Sequence, residues 1–284
     1  MGKIKVILFG MTGQGNNALK ALVEEPSINL LGVFTSKRQD APYPYYRCEQ
    51  LQDIVLRAGI PLYEGLSLKE KETHQIIEKL KPDIIVVSSF NQIIPKDVIS
   101  VPKLGVINIH PSLLPKYRGA TPTVWALMNG EEETGVTAHF IEDERVDSGR
   151  IIAQTKLKIE PADNDGVLRF KLVNLSESVL TKALSLVLTK ERETFHVQNE
   201  SEATYYPKRS LKDAEIKTDM PFKEISNKIR AMSPYPGAYL KYRGKEFIVK
   251  NANLLNSKKS KDIIVKKKGL VLKTLGGMVE FAVI

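Results

Sequence analysis

Residues 84–87 read Ile-Ile-Val-Val, four adjacent aliphatic side chains between Asp83 and Ser88. Successive side chains of a strand point to opposite faces, so such a strand needs apolar cover on both. Parallel sheets layered with helices supply that cover. Residues 3–10 alternate and then run apolar, and 28–35 and 106–109 form comparable runs. Between them lie apolar positions at helical spacing: Ala18, Leu19, Leu22 and Val23, then Leu51, Ile54 and Val55 within 49–58, then a helix over 68–80. A short edge strand is expected at 60–62. Strands and helices alternating at this interval specify an α/β fold with a doubly wound, mostly parallel sheet.

Further along, Pro122 opens a helix over 122–128. Strands at 134–141 and 150–159 flank the acidic loop 142–149 as a hairpin, and a helix over 165–188 follows. The stretch 189–204 is polar, which divides the chain into a domain at 1–190, a linker at 191–204 and a small domain at 205–284. That last part changes character: one amphipathic helix at 222–232, the turn Pro234-Tyr235-Pro236-Gly237, and short strands at 238–242, 246–251, 263–266, 270–274 and 278–283. Short strands at this spacing predict a small β-barrel-like, OB-like domain.

Cys48 is the only cysteine in 284 residues, which excludes an internal disulfide and a multi-cysteine zinc site and fits a reducing compartment. The N-terminal apolar run is too short for a signal peptide, and no later run approaches the roughly 18 residues of a membrane span. A cytoplasmic protein without membrane contact is expected. The net charge of +9 is uneven. Lys241, Arg243, Lys245, Lys250, Lys258, Lys259, Lys261, Lys266, Lys267, Lys268 and Lys273 crowd the tail, a field suited to nucleic acid or a phosphorylated ligand, or else a solvated lysine-rich surface.

Residues 105–122, GVINIHPSLLPKYRGATP, begin as a buried strand and break at His110-Pro111. Residues two apart share a face, so Asn108 and His110 project together at the strand's carboxyl end, where open α/β sheets bind ligands. The loop 142–149 adds carboxylates, Asp147 above all. An amide donates to an oxyanion, an imidazole moves a proton, and a carboxylate fixes the imidazole's charge state. Ser112 as a hydrolase nucleophile is the competing assignment, disfavoured by the lack of a G-x-S-x-G elbow. His74, His139 and His196 show no metal-ligand spacing, so no metal is expected. Gly10, Gly13 and Gly15 between strand and helix form an anion-binding turn without the dinucleotide fingerprint.

The run N-I-H-P-S-L-L-P-K-Y-R-G, followed by T-G-V-T and then D-S-G, resembles the formyltransferases that use 10-formyltetrahydrofolate, over about 3–188. The resemblance implies a Rossmann-like formyltransferase fold and catalytic roles for Asn108, His110 and Asp147. It places Ser112, Leu113, Leu114 and Pro115 beside the folate, with Phe90, Asn91, Gln92, Ile93 and Ile94 and the stretch Ile141, Glu142, Asp143 lining the pterin pocket. The co-substrate it implies is 10-formyltetrahydrofolate. An acceptor amine attacks the formyl carbon, Asn108 and protonated His110 steady the oxyanion, and Asp147 balances charge.

The tail, ATYYPKRSLKDAEI and IRAMSPYPGAYLKYRGK, resembles the C-terminal domain of the methionyl-tRNA and the amino-sugar branches of that family. Gly10-Met11-Thr12-Gly13-Gln14-Gly15 departs from the G-T-P-x-F-A of the tRNA branch, and a short, tyrosine-rich stretch at 36–47 replaces its longer basic loop. The chain also stops at Ile284, earlier than that branch generally does. These departures favour a nucleotide-linked amino sugar as the acceptor, with initiator methionyl-tRNA as the alternative and a non-catalytic folate- or nucleotide-binding relative as a third reading. Gly13, Gln14, Arg118 and the tyrosines within 43–46 are the candidate acceptor contacts. Nothing in the sequence sets the oligomeric state.

Overall fold

The run Ile84–Val87 forms, with Ser88, a strand in which every residue is buried. In the computed structural model, which describes residues 2–41, 43–255, 264–266, 269–275 and 277–283 (for 264–266 the backbone alone), this is strand β4 (Ile84–Ser88). It lies in a seven-stranded sheet with β1 (Ile4–Gly10), β2 (Ile28–Thr35), β3 (Leu62–Glu64), β5 (Val106–His110), β7 (Glu133–Ile141) and β8 (Ile151–Lys158), in the order β3-β2-β1-β4-β5-β7-β8. Pairing is parallel from β3 through β5, and β5 to β7 is antiparallel. Strand order reverses between β1 and β4, which makes the carboxyl ends of those strands and of β5 the place where a ligand crevice forms.

Helices α1 (Gln14–Glu24), α2 (Leu51–Arg57), α3 (Lys71–Leu80) and the single turn α4 (Lys96–Ile99) connect these strands. The apolar face of α1 is buried through Ala18, Leu19, Ala21 and Leu22. On one side of the sheet Ile7, Phe9, Phe34, Ile85, Val87 and Val106 pack with Leu68 and Ile77. Two expected boundaries move for physical reasons. The edge strand starts at Leu62 rather than at 60, where Pro61 has no N–H to offer a ladder. Helix α3 starts at Lys71 rather than 68, because Gln92 Oε1 accepts from Leu68 N at 2.8 Å and Ser67 Oγ from Lys69 N at 3.3 Å, holding those residues in a loop.

Short strands β6 (Arg118–Gly119) and β9 (Tyr205–Tyr206), helix α5 (Pro122–Met128) and the long helix α6 (Asp165–Val187) complete this part of the chain. Beyond it come β10 (Glu215–Ile216), α7 (Phe222–Met232), β11 (Ala238–Tyr242), β12 (Lys245–Leu255), β13 (Ile264–Lys266), β14 (Gly269–Thr274) and β15 (Gly277–Val283). The last six strands form a sheet ordered β10-β11-β12-β15-β14-β13, antiparallel except between β10 and β11. Lys258, Lys259, Lys261, Lys267 and Lys268 of the basic tail, and the side chain of Lys266, lie outside the described residues.

The chain separates into two compact units, Met1–Gly119 with Thr134–Lys158 and Phe170–Tyr205, and Ala120–Glu133 with Ile159–Arg169 and Tyr206–Ile284. The division is not a single cut, because α5 packs against α7. In the second unit the fully buried Asp165 takes Thr123 Oγ1–H at 2.8 Å and Arg169 Nε–H at 2.8 Å. No helix among the described residues is long and apolar enough to cross a membrane.

Gly135 in β7 has room for no side chain. A methyl group there overlaps the Thr155 carbonyl oxygen of β8 and lies 2.5 Å from Leu113 Cδ2. Gly135→Ala is therefore expected to lower stability by about 1–3 kcal/mol in urea unfolding. Wild-type stability would contradict the close approach.

Candidate active site

Strand β5 delivers two polar side chains to one face, as period-two geometry demands: Asn108 and His110, with Ile107 and Ile109 on the other. The antiparallel register then sets His139 of β7 directly opposite Asn108, and Thr137 opposite His110. A hairpin loop returns Asp147 to the same place. Its turn is built locally: Asp143 accepts from Arg145 N at 2.8 Å, and Ser148 Oγ donates to Arg145 O at 3.2 Å. Gly149 closes it, since a side chain there would overlap the Phe140 carbonyl oxygen. Asp147 itself has φ 53°, a left-handed conformation that costs an L-residue about 1–2 kcal/mol.

The Asp147 side chain is 10 % exposed and faces two N–H donors and two imidazole nitrogens. Asn108 Nδ2 donates to Oδ1 at 3.1 Å, and Gly119 N to Oδ2 at 2.9 Å. His110 Nδ1 lies 3.5 Å from Oδ2 and His139 Nε2 lies 3.4 Å from Oδ1. Burial works against the charged carboxylate, but the two imidazoles and the Gly119 N–H outweigh it and hold its pKa well below the usual range. Asp147 is ionised.

His110 is 5 % exposed, and burial pushes its pKa below the ordinary 6.5, with Asp147 and the Tyr117 carbonyl opposing only in part. Its Nε2–H donates to Tyr117 O at 2.8 Å. In the neutral ring the bare nitrogen is therefore Nδ1, the one facing Asp147. His139 is oriented the other way: Nδ1–H donates to Phe140 O at 2.8 Å, leaving Nε2 to accept from Asn108 Nδ2 at 3.1 Å in the neutral form. Both hydrogens of the Asn108 amide are thus engaged, one by Asp147 and one by His139.

The other expected residues are found as follows. Ser112 is 1 % exposed and its hydroxyl donates to Lys116 O at 2.8 Å, which removes it as a nucleophile. The loop it begins is pinned through Thr137 Oγ1, which donates to Ser112 O at 2.6 Å and accepts from Leu114 N at 3.2 Å, and Gln154 Nε2 donates to Leu114 O at 3.0 Å. Leu114 is buried, and Leu113 and Pro115 flank it in this loop. The stretch Phe90–Ile94 leaves the end of β4, whose Val87 and Ser88 pair with Asn108 and Ile109. There Ile93 is 65 % exposed, Asn91 exposed, Phe90 half-buried and Ile94 buried, while Gln92 is spent on the backbone of Leu66 and Leu68. Ile141 is half-buried, Glu142 accepts from Arg150 N at 3.0 Å, and Asp143 is folded onto Arg145.

Among the candidate acceptor contacts, Gln14 is buried with Nε2 donating to Ile109 O at 2.8 Å. Gly13 has φ 101°, and a Cβ there would lie 2.8 Å from the Tyr43 hydroxyl and 3.3 Å from that of Tyr46. The rings of Tyr43, Tyr45 and Tyr46 meet edge to face. Tyr43, Tyr46, Arg47, Cys48 and Glu49 line an open cavity of about 460 Å³. Arg118 is turned inward and bound to Gln198 and Glu200. Sequence reasoning missed His139, Tyr117, Gly119 and Gln198. None had a readable signal: His139 shares its strand face with Gly135 and Thr137, opposite the apolar Val136, Ala138 and Phe140, and the structure buries both faces. Among the described residues no group of His, Cys, Asp and Glu side chains is arranged to hold a metal ion.

With this geometry in view, known proteins give the context. The family described as "Formyl transferase" matches residues 3–184, and its C-terminal domain matches 209–284. The methionyl-tRNA formyltransferase of Clostridioides difficile is 33 % identical over 281 residues, covering 96 % of this chain and 89 % of that one. That of Dictyoglomus turgidum is 36 % identical over 287 residues, covering 97 % and 89 %. The solved N-formyltransferase of Helicobacter canadensis, in complex with folinic acid and dTDP-3-aminofucose, superposes with a TM-score of 0.75 at 21 % identity, covering 99 % of each chain. The chain belongs to the formyl transferase family.

A neutral buried histidine ties stability to acid pH. The folded pKa of His110 lies below 6.5, so as pH falls the unfolded chain takes the proton first and stability drains away from there downward. The Asp147 contribution is retained in that range, since a depressed carboxylate loses it only below 3.8. Urea stability is expected to fall between about pH 7 and about pH 5, by up to roughly 1.4 kcal/mol per pH unit for this group, with His110→Gln flattening the slope. An identical slope in the variant would contradict a neutral His110.

Proposed function

We propose, with membership of the formyl transferase family as the premise, that Asn108, His110 and Asp147 form the catalytic centre of this folate-dependent N-formyltransferase and that its acceptor is a nucleotide-linked amino sugar. The observation that carries the catalytic part is the buried, ionised Asp147 between an amide and an imidazole whose bare nitrogen faces it. The one-carbon donor, 10-formyltetrahydrofolate, supplies the formyl carbon, and its N10 departs as an amine. The loop 90–94 fits such a ligand: exposed Ile93 and half-buried Phe90 offer apolar cover for a flat ring, beside the end of β5. Ser112–Pro115 and Ile141–Asp143 are the other proposed contacts.

Attack by a neutral amine leaves a proton on the attacking nitrogen that must leave, and one is needed at N10. His110 Nδ1 takes that proton. A lone pair facing a carboxylate at 3.5 Å then becomes a charge-assisted hydrogen bond to Asp147, so the pair stabilises the protonated ring until the proton is passed on. Asn108 redirects one of its two N–H bonds to the formyl oxygen as negative charge gathers there. His139 can release it without stranding a charge.

For the acceptor, the tyrosine cluster carries the reading. Aromatic faces at Tyr43 and Tyr46 suit a nucleobase, and Arg47 beside them suits a phosphate. Initiator methionyl-tRNA is the second reading, supported by 33–36 % identity to enzymes of that name over nearly the whole chain and by the net charge of +9.

Release of tetrahydrofolate from 10-formyltetrahydrofolate, followed in parallel with uridine- or thymidine-diphosphate amino sugars and with initiator methionyl-tRNA, separates the two. Turnover with a nucleotide sugar is expected. Formylation of the tRNA with no sugar accepted would overturn the acceptor assignment. Asn108→Ala is expected to lower kcat by ~10²–10³-fold, and near-normal turnover would overturn the catalytic one.

A further inference from the structure

The polar stretch 189–204 carries one side chain that hydropathy does not explain: Gln198, 4 % exposed. Its Nε2 donates to two main-chain carbonyls, those of Asp147 and Gly149, both at 2.8 Å. Its Oε1 accepts from Arg118 Nε at 3.1 Å and Nη2 at 2.9 Å. Arg118 is 7 % exposed and is gripped from outside by Glu200, with Nη1 at 2.8 Å and Nη2 at 2.9 Å from its carboxylate oxygens. Every polar position of the glutamine amide is occupied. Few side chains can do this. A carboxylate accepts from the guanidinium but has nothing to donate to the carbonyls, and an apolar side chain does neither.

The chain of contacts reaches Asp147 by two routes. Gln198 fixes the peptide carbonyls of Asp147 and Gly149, holding a residue at φ 53° that local preference would release. Arg118 is followed by Gly119, whose N–H donates to the Asp147 carboxylate at 2.9 Å. Backbone and side chain of the acid are therefore set by one buried assembly. We propose that Glu200, Arg118 and Gln198 form a positioning clasp that sets the distance of the Asp147 carboxylate from His110 and Asn108. The clasp acts through Asp147 alone and rests on the assignment of that residue to the catalytic centre. It gives Arg118 a role as a positioning residue in place of an acceptor contact.

The test uses Gln198→Glu, Gln198→Ala and Asp147→Asn in the full chain, assayed by tetrahydrofolate release with the accepted amine. Gln198→Glu keeps the hold on Arg118 but leaves both loop carbonyls without a donor, so its melting temperature is expected to fall by several degrees with the protein still folded at the assay temperature. Its kcat is expected to fall about tenfold or more, as displacement of a reacting group by about 1 Å can cost up to ~10²-fold, with KM for 10-formyltetrahydrofolate within about twofold. In Gln198→Ala the carboxylate recedes from His110, and the acid limb of kcat/KM moves to lower pH. Wild-type kcat and an unmoved acid limb in both variants, with Asp147→Asn inactive, would overturn the clasp. So would a loss of activity that only tracks a loss of folded protein. Turnover retained in Asp147→Asn would instead overturn the catalytic assignment beneath it.

Discussion

Taking a carboxylate out of water costs several kcal/mol unless hydrogen bonds and opposite charge replace its hydration. Asp147 is that carboxylate here, and the local structure is arranged as the replacement. The hydration it gives up is exchanged for the Asn108 amide and the Gly119 N–H, with two imidazoles alongside. None of these could meet it without the mixed sheet. Parallel β4 and β5 bring the strand end of Asn108 and His110 to the crevice, and antiparallel β7 turns the chain back so that its hairpin loop returns over it. The antiparallel pairing of β5 with β7 and the hairpin that follows it are what bring Asp147 to Asn108 and His110.

A buried anion and a buried neutral imidazole form an asymmetric pair. Burial lowers the proton affinity of His110 by more than Asp147 raises it, and the ring rests neutral. The two histidines divide the work through opposite tautomers fixed by main-chain carbonyls, Tyr117 for one and Phe140 for the other. His110 presents a bare nitrogen toward the acid, and His139 presents one toward the amide. Family membership accounts for formyl transfer; under the proposed catalytic assignment this arrangement shuttles the proton. Nothing in this arrangement selects the acceptor; in the proposed sugar reading that falls to the tyrosine-lined cavity beside Gly13.

Strands β2 and β4 and helices α5 and α7 were legible because burial on one or both faces leaves a periodic trace in the residues. Asn108 and His110 were legible for the same reason, as neighbours on one face of β5. His139 was not. Alternation sets it on the face opposite Val136, Ala138 and Phe140, which alone reads as outward, and only the register with β5 shows that it points at Asn108. Gln198 left less trace still. Its work is hydrogen bonding to main-chain carbonyls of a loop whose Asp147 lies 51 positions earlier in the chain, and a polar segment built on such bonds reads as a connection rather than a part of the site. The start of α3 moved for a similar reason, side-chain bonds from Gln92 and Ser67 competing with the helix for Leu68 and Lys69.

The central claim is that Asp147 is ionised beside a neutral His110 and governs its proton affinity. Nitrogen-15 spectra of histidine-labelled protein, titrated in the wild type and in Asp147→Asn, test this without substrate. The account predicts a neutral His110 ring protonated at Nε2 at neutral pH, a pKa below 6.5, and a further downward shift when the carboxylate charge is removed. A doubly protonated His110 at neutral pH, or a titration unmoved by Asp147→Asn, would contradict it.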